Sequence, residues 1–383
     1  MADDKKEPTD QERIEQHRMG DITILADPGT EIEVRQLRHA FHFGTAISRK
    51  MWEDDVDPEE QAQYLKILKE NFNAAVPENA GKWYHIERKP GQYRYEDLDR
   101  MLAWCEENDI DMRGHCVYWA VPKYVQDWIK ELDNETLRAK VHARAFDLMS
   151  YYKGRIDEWD VNNEMLHGHF FEQRLGAPIR YEMFRWCRDA NPDAVLYMND
   201  YDILKGKDLK AYVRQIKDLK SIGAPVGGIG VQGHFWGGWF PEDKVRESFE
   251  ELAKLKLPIK VTEFDFGHED ADKEAEVLEK LYTIAFAEPQ VEAVLMWGFW
   301  EGRHWRDDGA APWAKDWTAT PSARAYRKLV FEKWWTNWKG QTDDAGKATL
   351  RAYYGRHEIT ANGQTRTVEF PAKSEALTID LRK

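Results

Sequence analysis

Short apolar runs recur along the chain, each followed by a longer stretch of a different period. They lie at HAFHFGTAI (39–47), NFNAAVPEN (71–79), IDMRGHCVYW (110–119), RIDEWDVNNE (155–164), AVLYMND (194–200), GGIGVQGH (227–234), PIKVTEFDF (258–266) and VEAVLMWGFW (291–300). Consecutive apolar positions rich in β-branched and aromatic residues are the pattern of strands covered on both faces. Between them, LDRMLAWCEEN (98–108), KAYVRQIKDLKSIG (210–223) and DKVRESFEELAKLK (243–256) repeat apolar residues every three or four positions, as helices with one buried face do. Strand and helix alternating at intervals of roughly 30–45 residues predict a parallel α/β sheet, and eight such units predict a (β/α)8 TIM barrel over 39–335. An open doubly wound sheet would place a glycine-rich phosphate loop after the first strand, and FHFGTAISRK supplies none.

The two ends keep another rhythm. Residues 1–20 are charged without an apolar face and are predicted to be a mobile tail. ITILADPGTEIEVRQL (22–37) alternates apolar and polar around Asp-Pro-Gly, predicting an N-terminal hairpin within 21–38. Beyond residue 335, ATLRAYY, RHEITA, TRTVEF and ALTIDL alternate with period two, and Asn362-Gly363 marks a turn. Residues 336–383 therefore read as a small antiparallel β extension, with the N-terminal hairpin packed on it so that neither leaves its apolar face bare.

Composition narrows the partners. A net charge of −14 argues against nucleic acid and anionic membranes, both of which need basic patches. No run is long and apolar enough to cross a bilayer. The opening MADDKKEPTDQERIEQHRMG lacks the apolar core of a signal peptide, which leaves the compartment open. Three cysteines form neither a disulfide framework nor a CxxC pair. The 17 Trp, 16 Tyr and 16 Phe exceed what a core of this size requires, and the surplus suits the apolar C–H faces of sugars. His167 and His169 (HGH) lack a third ligand nearby and read as a loop. Nothing calls for a metal or an organic cofactor.

Polar residues collect at the strand ends: Glu78 and Asn79, His115 and Trp119, Asn163 and Glu164, Asn199 and Asp200, Gln232 and His234, Glu263 and Asp265, and Trp297. In a barrel these ends share the rim that carries the chemistry. Two carboxylates without a metal cluster suit glycoside hydrolysis: one protonates the leaving oxygen, and the other attacks the anomeric carbon or activates water. Glu263, with Asp265 two residues on and His234 across the rim, has the partners of an ionised carboxylate. Glu164, among amides and apolar groups, suits the protonated role.

Five motifs in this order, RGHCVYW, WDVNNEMLHG, GVQGHF, VTEFDF and MWGFWEGRHW, resemble glycoside hydrolase family 10, the endo-β-1,4-xylanases, and its plant-like branch in particular. The resemblance runs over roughly 39–335 and implies retaining hydrolysis of xylan or xylo-oligosaccharides, with Glu164 as acid/base and Glu263 as nucleophile. It also implies that Asn163 binds the 2-hydroxyl at the cleavage site and that His234 and Asp265 hold Glu263 charged. Glu78, Asn79 and Lys82 would bind the glycone, while His115, Trp119, Asn199, Gln232, Trp297 and Trp305 would contact the sugar beside the cut. A secreted or periplasmic location is the family's expectation. Two departures stand out: Ala80-Gly81 follows the Glu-Asn pair where the family commonly has an acidic residue, and WAVP (119–122) is shorter than the usual segment. Both bear on the second glycone subsite. A non-catalytic polysaccharide-binding protein and a β-glucan or xyloglucan hydrolase are the alternatives on the same scaffold.

Overall fold

The computed structural model describes residues 7–382. Its strands are β1 (Met19–Leu25), β2 (Glu31–His39), β3 (His42–Ile47), β4 (Ala74–Pro77), β5 (Asp111–Met112), β6 (Tyr118–Trp119), β7 (Glu158–Asn163), β8 (Val195–Asp200), β9 (Gly228–Val231), β10 (His234–Phe235), β11 (Ile259–Phe266), β12 (Val291–Met296), β13 (Asn337–Gln341), β14 (Lys347–Tyr353), β15 (Gly355–Ala361), β16 (Gln364–Phe370) and β17 (Ala376–Asp380).

Strands β3 to β12 form one curled parallel sheet, ordered β5-β4-β3-β12-β11-β9-β8-β7-β6, with β10 beside β11. Sequence neighbours are spatial neighbours, and the last strand returns to the first, from Ala293 opposite His42 to Met296 opposite Thr45. Both ends of the ladder lie on one segment, 111–119, which the sequence pattern read as a single strand. There Asp111–Met112 pairs with β4 and Tyr118–Trp119 pairs with β7, with an isolated bridge from Gly114 to Trp159 of β7, so the strand ladder curls round without closing the expected eight-stranded barrel. Gly114 is required at this crossing, because a Cβ would lie 2.1 Å from the Trp159 indole. Helices connect the strands. Several are capped by the side chain that precedes them, as Asp57 caps Pro58–Asn71 and Asp133 caps Asn134–Tyr151.

The chain termini depart from the expected tail and hairpin. Residues 10–18 are a helix, Asp10–Arg18, and residues 1–6 lie outside the described part. A capping box between Thr9 and Glu12 starts this helix. Arg18 anchors it: the buried guanidinium donates to the carbonyls of Phe286 (2.6 Å), Glu288 (2.5 Å) and Val291 (2.7 Å). With Ile14 as its one buried apolar side chain and polar ties from Arg13 to Glu288 and from Asp10 to Arg246, the helix carries little apolar periodicity.

β1 and β2 do not pair with each other. The turn at Asp27–Thr30 instead sends them into two sheets, β14-β1-β17 and β13-β2-β15-β16. Alternation along both strands reflects a sandwich, in which Ile22 and Ile24 of one sheet share a core with Ile32, Val34, Ile359 and Phe370 of the other. Trp334, fully buried against Phe43 and Phe286, packs where the parallel sheet ends and the sandwich begins.

Candidate active site

The C-terminal ends of the parallel strands surround a cavity of about 390 Å3. Glu164 closes β7 from one side. Its φ of +56°, in the left-handed region, is held by hydrogen bonds to its backbone: its N–H donates to Asn199 O (2.8 Å), and its carbonyl accepts from the N–H groups of His167 (3.0 Å) and Gly168 (2.7 Å). A non-glycine residue there costs about 1–2 kcal/mol, and it turns the chain at the strand's end. The carboxylate accepts from Trp119 Nε1 at Oε2 (2.8 Å) and from Gln232 Nε2 at Oε1 (3.0 Å). Burial pushes its pKa above the ordinary glutamate value, the charge of Glu263 adds to the rise, and the two donors only partly offset it.

Glu263 lies within β11, a strand buried at every position. Asn199 Nδ2 donates to its Oε1 (2.8 Å), and His234 Nε2 meets its Oε2 at 3.3 Å. Because an ionised carboxylate only accepts, Asn199 turns its NH2 to Glu263 and its Oδ1 to Thr262, whose Oγ1 donates to it (2.7 Å). His234 in turn bonds Asp265 through Nδ1 (2.8 Å), and Asp265 accepts from Trp305 Nε1 (2.9 Å) and Arg306 Nη1 (2.5 Å). Burial alone would neutralise His234, but the two carboxylates overcome it and raise its pKa to about 10. A protonated His234 between them, together with other nearby cations, keeps Glu263 and Asp265 below their ordinary values against the cost of burial. Two carboxyls on one cavity are thus biased in opposite directions.

The walls complete the site. Glu78, Asn79, Lys82, Tyr84, His115, Trp119 and Tyr124 line one part; Tyr201, Asp202, Gln232, Trp236, Trp297 and Trp305 line another. Lys82 Nζ donates to Asn79 Oδ1 (3.2 Å), and Tyr84 Oη donates to the same oxygen (2.8 Å). His115 is fixed from below by Asp160 (Nδ1 to Oδ2, 2.9 Å), itself bonded to buried Arg113.

Among known proteins, the profile of glycosyl hydrolase family 10 matches residues 34–330. The chain belongs to glycosyl hydrolase family 10. It is 38% identical over 329 residues to anti-sigma-I factor RsgI6 of Acetivibrio thermocellus, covering 86% of this chain and 42% of that protein. It is 37% identical over 366 residues to endo-1,4-beta-xylanase 1 of Arabidopsis thaliana, covering 92% of this chain and 38% of the plant protein. It therefore spans less than half the length of both. Xylanase 10B of Thermotoga petrophila RKU-1, solved in complex with xylobiose, matches with a TM-score of 0.69 at 28% identity, covering 77% of this chain and 95% of that one.

In this family 10 chain, the cavity gathers the site residues that the resemblance implied except two. Asn199 and Asp265 lie behind the surface, where they bond Glu263 and His234. Tyr84, Tyr124, Tyr201 and Asp202 line the cavity without having been singled out, and Arg306 supports it from behind. Tyr201 and Asp202 directly follow the fifth strand end, so the strand-end rule reaches them if extended by two residues. Tyr84 and Tyr124 sit on helical turns, Trp83–Ile86 and Pro122–Tyr124, and carry no such signal. His167 lies in the turn after β7, as expected of a loop residue, and there it bonds Asp200 (2.8 Å) and stacks on Tyr201 at 3.8 Å.

Proposed function

We propose that this chain hydrolyses β-1,4-xylosidic bonds within xylan by a retaining double displacement on a (β/α)8 barrel. Glu263, ionised, attacks the anomeric carbon while Glu164, protonated, gives its proton to the leaving oxygen. A covalent glycosyl-enzyme forms, and Glu164 then takes a proton from the water that releases it. Asn163, whose Oδ1 accepts from Asn199 (2.9 Å), has its NH2 to offer the sugar 2-hydroxyl. Glu78, Asn79 and Lys82 bind the glycone, and Trp297 and Trp305 wall the sugar beside the cut.

The observation carrying this reading is the opposite bias of the two glutamates, since that division of labour needs one acid neutral and one charged. The Arabidopsis relative is named an endo-1,4-beta-xylanase, and the Thermotoga structure holds xylobiose, which supports the choice of sugar. The relative named an anti-sigma factor makes a non-catalytic polysaccharide-binding role the reading to test against.

The test measures reducing-sugar release from xylan and from cellulose oligomers with the parent, Glu263→Ala and Glu164→Ala, and follows the first-formed anomer by NMR. We expect β-anomer from xylan, no turnover by Glu263→Ala, and recovery of Glu164→Ala by azide on an activated aryl xyloside. Retention on insoluble xylan without product would establish the binding role instead. Initial α-anomer would overturn the mechanism, and equal rates on cellulose oligomers the substrate.

A further inference from the structure

Trp119 presents neither face of its indole to the cavity. The Tyr124 ring lies on it with centroids 3.6 Å apart and planes within 14°, an overlap that leaves no room for a sugar on that side. The Lys82 ammonium stands over the indole at 4.6 Å from the centroid and, with one face filled, must occupy the other. Lys82 is itself buried and tied to Asn79 (3.2 Å). What Trp119 offers the cavity is its edge, and the polar point of that edge, Nε1–H, is spent on Glu164 Oε2 at 2.8 Å.

An indole gripped on both faces cannot rotate, so its N–H stays aimed. Lys82 is fixed from the strand-end side of the cavity, whereas Tyr124 comes from the short turn Pro122–Tyr124 that follows Trp119. The two residues between Trp119 and Pro122 leave just enough chain to fold this turn back onto the ring. We propose that Tyr124 is a positioning residue: by stacking on Trp119 it holds the indole N–H on Glu164 and so sets the protonation of the acid/base. The inference rests on the roles assigned above only in naming Glu164 the acid/base; the stack and the hydrogen bond stand without them.

The other groups acting on Glu164 are known. Burial, Glu263 and Asp200 favour its neutral form, while Gln232 and the Trp119 N–H favour the charged one. Tyr201 also lies close enough to feel its charge, as does the Cys116 thiol. His115 and His234 act on Glu263 instead, favouring its charged form. Freeing Trp119 removes one of the two hydrogen bonds that the carboxylate accepts among the described residues, so the Glu164 midpoint should rise. Admitting water would act the other way and lower it, so the sign separates positioning from simple shielding.

The experiment titrates Glu164 by 13C NMR of glutamate side-chain carboxyls, with the resonance assigned by Glu164→Gln. It compares the parent with Tyr124→Ala, Tyr124→Phe and Trp119→Phe. Tyr124→Phe keeps the ring and should leave the Glu164 midpoint where it stands in the parent. Trp119→Phe deletes the N–H and should raise the midpoint, and Tyr124→Ala should raise it too. In kcat/KM on xylo-oligosaccharides, Tyr124→Ala should lose about tenfold, the scale of one charge-assisted hydrogen bond, with its alkaline limb displaced upward. An unchanged or lowered midpoint in Tyr124→Ala overturns the proposal, as does a Tyr124→Phe that behaves like alanine. Should Tyr124→Ala not fold, Tyr124→Leu takes its place, because it also removes the flat ring. If the parent proves inactive on xylan while the midpoints move as stated, the proposed function fails and this inference stands.

Discussion

Asp265 touches no part of the cavity surface, yet replacing it should disable Glu263, the proposed nucleophile. In Asp265→Asn the shape is kept and one negative charge is lost. That charge faces His234 Nδ1 at 2.8 Å and Arg306 Nη1 at 2.5 Å. Two unit charges about 4 Å apart interact by about 4 kcal/mol at an effective dielectric near 20. Arg306 keeps Asp308 as a counterion, so the loss falls chiefly on His234. His234 then gives up its proton well below the value of about 10 that it holds between two carboxylates. A neutral imidazole that still donates Nδ1–H to the substituted amide would point a lone pair from Nε2 at Glu263 Oε2, replacing attraction by repulsion.

With part of the interaction retained, the cost is about 2–4 kcal/mol, or roughly 30- to 900-fold in kcat/KM. The assay is the pH profile of kcat/KM on a dinitrophenyl β-xylobioside, whose leaving group needs no proton and so reports Glu263 alone. The parent's acid limb reflects a carboxyl held low, and in Asp265→Asn that limb should move up in pH while the plateau falls. Superimposable profiles with rates within twofold would refute the idea that His234 works as a cation.

Two stability predictions rest on other buried groups. Glu274, bonded to the His268 N–H (2.7 Å) and close to Asp308 and Asp270, is raised by burial to about 7 in the folded chain. Its contribution to stability is complete below pH 4.5 and is lost as pH rises through 7, so Glu274→Gln should gain about 2–4 kcal/mol at pH 8 and little at pH 4, read from urea midpoints at the two pH values. Arg18→Met keeps the apolar stem but strands three carbonyls; it should lower stability by about 3–5 kcal/mol, with an earlier urea midpoint at unchanged m. An Arg18→Met variant as stable as the parent would mean the N-terminal helix is held by something else.

The parallel sheet and most of the cavity were legible in the sequence because both follow from position along a strand. A strand covered on both faces must be apolar throughout, so Glu263 in VTEFDF and Glu164 in WDVNNE stand out against their own neighbours. Strand ends share a rim, which is enough to bring Glu78, Asn163, Gln232 and Trp297 together without knowing any distance. Their supporting layer was legible only in part. Asn199 and Asp265 sit at the right ends, but whether such a residue faces the sugar or stands behind the residue that does depends on the local twist of the strand.

What escaped the sequence has one physical origin: periodicity reports that a face is covered, not by what. Ile22, Ile24, Ile32 and Val34 alternate equally well in a hairpin or in two sheets of a sandwich, and only the partners β14, β17, β13 and β15 distinguish the cases. Arg18 breaks the apolar pattern by which helices are recognised, because a guanidinium that finds three carbonyls can be buried as a leucine is. Tyr124 belongs to the same class. Nothing in WAVPKY announces a stack, since the contact is made by a turn closing over the end of its own strand. The positions proposed to carry the reaction are therefore those most constrained by the strand pattern, whereas the one proposed to tune it is set by a turn, where sequence constrains side-chain partners least.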